Sequence, residues 1–237
     1  MDIKGWVRTS LIDFPGHIAT VCFTGGCNFR CPMCHNADLV LRPGGLPSID
    51  SDVLWAFLQK RAGRITGVVI TGGEPTLQPD LPVFLADVRE LGYRVKLDTN
   101  GYRPQNLADL LAQGVLDTVA MDIKAPPDKY AALAGVPDLD LCRIEAALTT
   151  LRESSVPCEF RTTVVPGMLD ADDLVEIARW LSEYGLGSSA SYVLQQFRGK
   201  QTLAPDLSGA TPYDSEVLRQ AAERARAWLP SVRCRGI

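Results

Sequence analysis

Three cysteines within eight residues give this sequence its clearest chemical signal, with the spacing Cys27-x-x-x-Cys31-x-x-Cys34. Three thiolates on one short loop suit a soft metal centre. A four-iron, four-sulfur cluster normally takes four protein ligands, so three cysteines would leave one iron open for chemistry. The first alternative is a zinc site with His35 as its fourth ligand, although the adjacent Cys34 and His35 rarely reach one tetrahedral zinc together. The second is a set of unligated core cysteines, which the polar, glycine-containing loop disfavours.

A repeated strand–helix pattern must position this loop. Helical patterns with polar starts and glycine stops separate short β-rich runs, as between Asp170 and Gly185, and Ser51 is expected to cap another helix. Strand–helix alternation repeated six times indicates parallel strands with right-handed crossovers, in a sheet that either lies open or curls into a barrel. The predicted strands are His17–Phe23, Thr66–Thr71, Tyr93–Asp98, Thr118–Ile123, Glu159–Val165 and Ser191–Gln196.

Glycines, carboxylates, a lysine and amides follow nearly every predicted strand. Gly72-Gly73-Glu74 follows the second, Asp98-Thr99-Asn100 the third, Asp122-Ile123-Lys124 the fourth and Gln195-Gln196-Phe197 the sixth. One polar strand end would mean little, because turns are polar anyway. Since parallel α/β folds build their active sites at the carboxyl ends of the strands, six such ends predict one functional rim.

Composition narrows the class of protein. The chain has 237 residues, 46% of them hydrophobic, and a net charge of −4 without blocks of like charge. This balance predicts neither a nucleic-acid partner nor binding to an anionic membrane. The longest apolar runs are too short to cross a bilayer, and the first residues lack the apolar region of a signal peptide. Seven cysteines, three of them clustered, do not resemble a secreted disulfide scaffold, so we expect a cytoplasmic protein.

Several motifs, in order along the chain, resemble those of radical S-adenosylmethionine (SAM) enzymes. The segment from Cys27 to Asn36 resembles their cluster loop, and its Cys-His-Asn ending is that of the glycyl-radical-enzyme activases. Asp13-Phe14-Pro15-Gly16 resembles their entry motif, and residues 71–75 (TGGEP) resemble their GGE motif. Residues 97–101 (LDTNG), 121–124 (MDIK) and 161–167 (RTTVVPG) are similar to motifs of pyruvate formate-lyase activating enzyme. The subgroup that the chain resembles most is the anaerobic ribonucleoside-triphosphate reductase activating proteins.

The resemblance implies a fold and a reaction. The fold is an α/β, incomplete (β/α)6 TIM-like barrel, here a single radical SAM domain over residues 1–237, with a core over about 10–200 and a C-terminal helix and tail over about 205–237. The implied reaction is reductive cleavage of SAM at a [4Fe-4S] cluster, followed by abstraction of a glycine Cα hydrogen from a partner glycyl radical enzyme. The implied partners are anaerobic ribonucleotide reductase and a flavodoxin- or ferredoxin-type electron donor.

The resemblance also implies residue roles. Cys27, Cys31 and Cys34 would ligate the cluster. Arg161 would face the SAM carboxylate or the substrate backbone, with a structural ion pair as its alternative. Phe197 would either stack on adenine or fill the core. A monovalent cation is expected beside SAM, with Asp98, Thr99 and Asp122 as its ligands. The implied SAM-binding residues are Met33, His35, Asn36, Gly72, Gly73, Glu74, Asp98, Asn100, Asp122, Lys124, Arg161 and Phe197.

Two other functions stay open. A radical SAM enzyme acting on a small molecule, such as a pterin or a modified base, would usually need substrate-binding segments that this short chain lacks. A zinc-binding interaction module is the non-enzymatic alternative. The remaining cysteines form no further cysteine-rich insertion, so no second cluster is expected.

Overall fold

Eight strands form one sheet in the computed structural model, which describes residues 1–186 and 190–237. Their order in the sheet is their order in the chain, from β1 to β8, so each crossover adds the next strand on the same side. In the described part of the chain β1 and β8 do not pair, and the sheet is therefore open between them. The strands are β1 (Ile3–Ser10), β2 (Ala19–Thr24), β3 (Gly67–Gly72), β4 (Arg94–Thr99), β5 (Thr118–Asp122), β6 (Cys158–Val164), β7 (Ala190–Gln196) and β8 (Val232–Arg235).

The strands β2 to β7 are the six that the sequence predicts, with bounds shifted by one or two residues. All six are parallel to one another. The register aligns Cys22 with Ile70 and Ile70 with Leu97, all fully buried beneath the helices. The α/β fold with an incomplete barrel of parallel strands is therefore confirmed.

The first and last strands are the ones that the sequence analysis missed. Strand β1 pairs antiparallel with β2, and β8 pairs parallel with β7. Strand β1 has three consecutive exposed residues, Val7 to Thr9, and so lacks the alternation that marks a half-buried strand. Strand β8 has only four residues, two of them arginines. Both lie outside the predicted core of residues 10–200, yet both extend its sheet.

Helices cover one face of the sheet. In the longer ones the apolar residues recur at helical spacing, and the helix after β6 buries Leu174, Ile177 and Leu181. Asp170 caps this helix, as predicted from the sequence, and it also forms a reciprocal capping box with Asp173. The helices are α1 (Ala37–Leu41), α2 (Ser51–Arg61), α3 (Leu81–Glu90), α4 (Pro104–Ala112), α5 (Tyr130–Ala134), α6 (Leu141–Glu153), α7 (Ala171–Glu183) and α8 (Ser215–Ala225).

One helix start differs from its prediction. The N-cap of α2 is Asp50 rather than Ser51, because the Asp50 carboxylate accepts hydrogen bonds from the amides of Asp52 and Val53. Either residue type can cap a helix, and only the local backbone path decides between neighbours. Across the described residues, no helix is both long and apolar enough to span a bilayer.

The inner face of the sheet changes character along the strands. At the amino ends of β2 and β3 it is apolar, with a small cluster of Phe14, Ala19, Val21 and Val69. Towards the carboxyl ends the same face carries polar and charged side chains. Because successive residues of a strand alternate between the two faces, a few strand-end residues suffice to line a polar cavity.

Candidate active site

A cavity of about 220 Å³ lies at the carboxyl ends of the parallel strands. Its walls come from the cysteine loop after β2 and from the ends of strands β3 to β7. This is the rim that the strand-end residues predict. The lining residues are Cys27, Phe29, Cys31, Met33, Cys34, His35, Asn36, Val40, Thr71, Gly72, Gly73, Glu74, Asp98, Thr99, Asn100, Asp122, Lys124, Arg161, Thr163 and Gln195.

Backbone hydrogen bonds to distant segments hold the cysteine loop. The amide of Gly26 donates to the carbonyl of Leu39 at 2.8 Å, and the amide of Arg30 donates to the carbonyl of Ala134, also at 2.8 Å. A Cβ on Gly135 would lie 2.2 Å from the carbonyl oxygen of Arg30, so the α5 segment meets the loop backbone directly. The loop is therefore held at its start and between Cys27 and Cys31 by contacts that the sequence does not reveal.

The three cysteines face the cavity as free thiols. Among the described residues, no three His, Cys, Asp or Glu side chains converge to hold a single metal ion. Because a multi-iron cluster takes each cysteine on a different iron, the donor set fits a cluster better than mononuclear zinc. Burial raises the pKa of the Cys27 thiol to about 12, so metal ligation there must displace a proton. The His35 ring nitrogen Nε2 lies 2.7 Å from the carbonyl oxygen of Arg198. This nitrogen is hydrogen-bonded to the backbone and does not join the cysteines as a metal ligand.

Two glycines bring the end of β3 against the cysteine loop. A Cβ on Gly73 would lie 1.9 Å from the carbonyl oxygen of Gly26, and one on Gly72 would lie 2.5 Å from the amide nitrogen of Thr24. Gly72 also has φ +116°, which L side chains rarely adopt. The glycine pair is therefore required by backbone packing, and its predicted contact with the SAM amino group stays a prediction.

Glu74 connects two strand ends. Its side chain is buried, and both carboxylate oxygens accept hydrogen bonds, from the Thr76 and Thr99 hydroxyls at 2.5 and 2.7 Å and from the Asn100 amide at 2.7 Å. Burial raises the pKa of Glu74, an effect that these donors oppose. The Asn100 side chain continues the connection, because its Nδ2 donates a hydrogen bond to the side-chain oxygen Oδ1 of Asn28 at 2.8 Å. Glu74 lines the cavity and connects the end of β4 to the cysteine loop, and its predicted contact with SAM stays a prediction.

The centre of the rim is a cluster of five charged side chains, hereafter the charged cluster: Lys96, Asp98, Asp122, Lys124 and Arg161. Arg161 bridges the two carboxylates, with Nη1 3.1 Å from Asp98 and Nη2 2.9 Å from Asp122. Lys96 lies 2.5 Å from Asp98, and Lys124 lies 2.9 Å from Asp122. The ion pair that was the alternative role of Arg161 is therefore present. Both carboxylates have side-chain cations as partners, and the predicted monovalent cation stays a prediction.

The pKa shifts in the charged cluster follow from these pairs. Burial alone would raise the pKa of Asp98 and Asp122, but the Arg161 guanidinium together with Lys96 beside Asp98 and Lys124 beside Asp122 outweighs it. The pKa of both carboxyls is consequently below its ordinary value. The same pairing raises the pKa of Lys124 and Arg161 against the opposing effect of burial. Asp98, Asp122, Lys124 and Arg161 are therefore each shifted towards their charged form.

Nearly all of the predicted site residues line the cavity, and Phe197 is the exception. Its side chain is fully buried outside the cavity lining, with its ring centroid 6.3 Å from that of His35. It fills the core, which is one of its two predicted roles, and its predicted contact with the cofactor stays a prediction. The sequence analysis missed five lining residues, Phe29, Val40, Thr71, Thr163 and Gln195. Strand periodicity could have found Thr163, since it lies two residues after Arg161 on the same face.

The family model of the radical SAM superfamily matches residues 21–181, more than half of the chain. This segment contains the cysteine loop and strands β3 to β6 with their rim residues. The chain therefore belongs to the radical SAM superfamily. Membership implies SAM and a [4Fe-4S] cluster as cofactors.

Relatives define the group within the superfamily. A Methanocaldococcus jannaschii protein provisionally named a glycyl-radical enzyme activating enzyme is 30% identical over 251 aligned positions, covering 99% of this chain and 96% of that protein. Pyruvate formate-lyase-activating enzyme of Clostridium pasteurianum is 36% identical over 135 positions, 53% of each chain. These matches place the chain among the activating enzymes of glycyl-radical enzymes.

Solved structures share the fold. Streptococcus suis SuiB, bound to its precursor peptide SuiA, superposes with a TM-score of 0.70 at 16% identity, covering 91% of this chain. This chain spans about half the length of SuiB, at 48%. A TYW1 structure with a lysine-pyruvate adduct superposes with a TM-score of 0.57, covering 89% of this chain and 74% of TYW1 at 16% identity.

Proposed function

We propose that this protein installs a glycyl radical on a partner enzyme, with a [4Fe-4S] cluster held by Cys27, Cys31 and Cys34 and with SAM in the adjoining cavity. One observation carries the proposal: the three thiols line the same cavity as four members of the charged cluster, Asp98, Asp122, Lys124 and Arg161. The ligands for a cluster and the charged residues that could bind a small molecule therefore line one cavity. When bound, the cluster supplies the electron that cleaves SAM, and the released 5′-deoxyadenosyl group takes a hydrogen atom from a glycine Cα.

The charged cluster would bind and orient SAM. Its three cations exceed its two carboxylates by one positive charge, which suits the carboxylate of an amino acid. Guanidinium binds planar oxyanions well, and Arg161 is already oriented by Asp98 and Asp122. Low exposure strengthens these interactions, since the Arg161 side chain is only 15% exposed.

The cysteine loop and the strand ends would form the rest of the SAM site. Each of these residues lines the cavity, so none needs to move far to reach a ligand there. Loop residues would contact the adenine, and the glycine pair and the amides would contact the amino-acid part. The proposed contacts, beside those of the charged cluster, come from Met33, His35, Asn36, Gly72, Gly73 and Asn100.

The open side of the sheet would admit the partner. Closing a barrel joins its first and last strands, whereas β1 and β8 do not pair in the described residues. An extended loop of the partner could enter beside the cavity and bring a glycine Cα–H near SAM. Reach is essential, because a radical formed away from its target would be quenched by water or by the protein.

The names of the relatives support a protein substrate over a small molecule. Among glycyl radical enzymes we propose anaerobic ribonucleotide reductase, on the motif resemblance alone, with a flavodoxin- or ferredoxin-type electron donor. The test is anaerobic incubation of the protein with SAM, a reductant and the glycyl radical enzyme encoded beside it, followed by electron paramagnetic resonance. We expect a glycyl doublet that disappears when the partner glycine is replaced by alanine. Conversion of a small metabolite with no radical on any protein would refute the proposal.

The cluster assignment has its own test. Cys31→Ala should abolish the iron and sulfide content after anaerobic reconstitution and, with it, SAM cleavage, because one ligand of the three is lost. Cys142→Ala is the matched control, since Cys142 is exposed at the start of α6 and away from the cavity. An intact cluster in the Cys31→Ala protein would contradict the assignment.

A further inference from the structure

All three residues predicted to hold a monovalent cation already have protein partners. Asp98 accepts from Lys96 at 2.5 Å through one oxygen and from Arg161 at 3.1 Å through the other. The Thr99 hydroxyl donates to Glu74 at 2.7 Å and accepts from the Gly101 amide at 3.1 Å. Asp122 accepts from Lys124 and Arg161, each at 2.9 Å. The arrangement therefore does not fit an additional cation, which would have to displace one of these partners.

Lys96 is the member of the charged cluster without a predicted role. It lies in β4 two residues before Asp98, so both side chains project from the same face of the strand. Its side chain is only 5% exposed, and its register partners are Val69 in β3 and Thr118 in β5. A buried ammonium is costly unless it is paired, and here its carboxylate partner is at contact distance. Lys96 is therefore placed as a fixed counter-charge to Asp98.

The balance of charge supports the same conclusion. Lys96, Lys124 and Arg161 face Asp98 and Asp122, an excess of one positive charge. Further down the inner face, Glu159 is paired with Arg233 and Arg235 and leaves no free negative charge for this group. The other carboxylate of the rim, Glu74, is already occupied by the Thr76 and Thr99 hydroxyls and the Asn100 amide, so a bound monovalent cation would raise the excess within the charged cluster to two. Without Lys96 the group would be neutral, and a cation would restore the present charge.

We propose that the Lys96 ammonium takes the place of the predicted monovalent cation, so that this protein binds SAM without Na⁺ or K⁺. Lys96 is a positioning residue: it holds Asp98, and through Asp98 it orients Arg161. The inference rests on the proposed function only in naming SAM as the ligand. The charged cluster should also need no small cation when SAM is absent, and this can be tested on the protein alone.

The first measurement uses the unaltered protein. Its SAM dissociation constant, determined by anaerobic calorimetry on the reconstituted protein, is compared in KCl, NaCl and tetramethylammonium chloride at equal ionic strength. Tetramethylammonium is too large to coordinate between two carboxylates. We expect the three constants to agree within about twofold, a difference of well under one charge-assisted hydrogen bond. Affinity that is about tenfold weaker in tetramethylammonium would overturn the proposal.

The second measurement uses Lys96→Met, which removes the charge and ends one atom short of the ammonium position. This variant should bind SAM about tenfold more weakly in tetramethylammonium, as expected for one lost charge-assisted contact, and should recover in K⁺ or Na⁺. Lys96→Arg should stay independent of the salt. Lys129→Met is the matched control, because Lys129 pairs with Asp173 at 2.8 Å outside the cavity. Unchanged SAM affinity of Lys96→Met in tetramethylammonium would also overturn the proposal.

Thermal unfolding of the protein without cluster or SAM separates this inference from the proposed function. The midpoint of the unaltered protein should be the same in KCl and in tetramethylammonium chloride, whereas that of Lys96→Met should be higher in KCl. If SAM fails to bind in every salt, the proposed function fails and the melting curves alone decide the role of Lys96. A KCl-specific rise in the unaltered protein, or none in Lys96→Met, refutes that role.

Discussion

Arg161 holds the two central carboxylates together, and its removal tests the electrostatic account of the rim. In Arg161→Met, Asp98 and Asp122 lose the guanidinium that lies 3.1 and 2.9 Å from them. Breaking a buried ion pair by removing one partner costs about 3–5 kcal/mol. Since the carboxylate side chains are 14% and 34% exposed and keep Lys96 and Lys124, we expect the lower end, about 3 kcal/mol. For a chain of this size that lowers the unfolding midpoint by about 6–12 °C.

The loss should depend on pH with a definite sign. In the unaltered protein the pKa of both carboxyls is below 3.8, so they stabilise the fold above that pH and cease to do so as pH falls through the lowered pKa. Without Arg161 the effect of burial is less opposed, and the pKa of the carboxyl pair rises. A protonated carboxyl needs no counter-charge. The deficit of the variant should therefore be largest near neutral pH and shrink as pH falls through the raised pKa.

The assay is urea unfolding of the protein without cofactors, monitored by circular dichroism at a series of pH values from neutral down through the raised pKa of the carboxyl pair. Arg161→Lys should be intermediate, because an ammonium cannot bridge both carboxylates as the planar guanidinium does. Arg179→Met is the control, since Arg179 forms a surface pair with Glu176 on α7 and should leave the midpoint unchanged. A cost below about 1 kcal/mol for Arg161→Met, or a deficit that does not vary with pH, would refute the reasoning.

Two further perturbations probe the backbone and the acidic side chains of the site. Gly73→Ala places a Cβ 1.9 Å from the Gly26 carbonyl oxygen, so it should lower the free energy of unfolding in urea by about 1–3 kcal/mol and reduce cluster reconstitution. Gly44→Ala, with no atom within 4 Å of its Cβ, should do neither. Equal behaviour of the two variants would contradict the close approach of Gly73 to Gly26. Asp122→Ala should retain iron but weaken SAM binding in calorimetry, because Arg161 loses one of the two carboxylates that orient it. Asp172→Ala on α7 should not weaken SAM binding, and normal affinity in Asp122→Ala would show that this carboxylate is structural.

Residues that are close in sequence account for most of what could be predicted. The cysteine spacing is local, and the loop that carries it lines the cavity as one piece. Most of the parallel strands β2 to β7 are rich in β-branched or aromatic residues, and nearly all are followed by polar residues or glycines at their carboxyl ends. The helix α7 carries both its apolar period and its capping box within one segment. Each of these signals is complete within about fifteen residues, so no knowledge of the packing is required.

The features that could not be predicted from the sequence share a physical cause, because each depends on residues that are distant in the chain. Strand β8 is too short and too charged to be recognised alone, and it forms because β7 offers it an edge. Phe197 follows a strand end like the site residues, but the packing around it buries its ring. Aromatic side chains suit a core and a ligand equally well, so composition could not decide between the two.

The sequence by itself determined the chemistry of this protein: three thiols on one loop, carboxylates and cations at successive strand ends, and a parallel sheet that brings those ends together. Only the tertiary structure decided how the charges are paired. Arg161 meets Asp122 because the register of β5 against β6 places them opposite each other, and Lys96 reaches Asp98 because both project from one face of β4 into the same polar interior. Pairing of this kind depends on register and on burial, and both are set by packing among segments far apart in the chain.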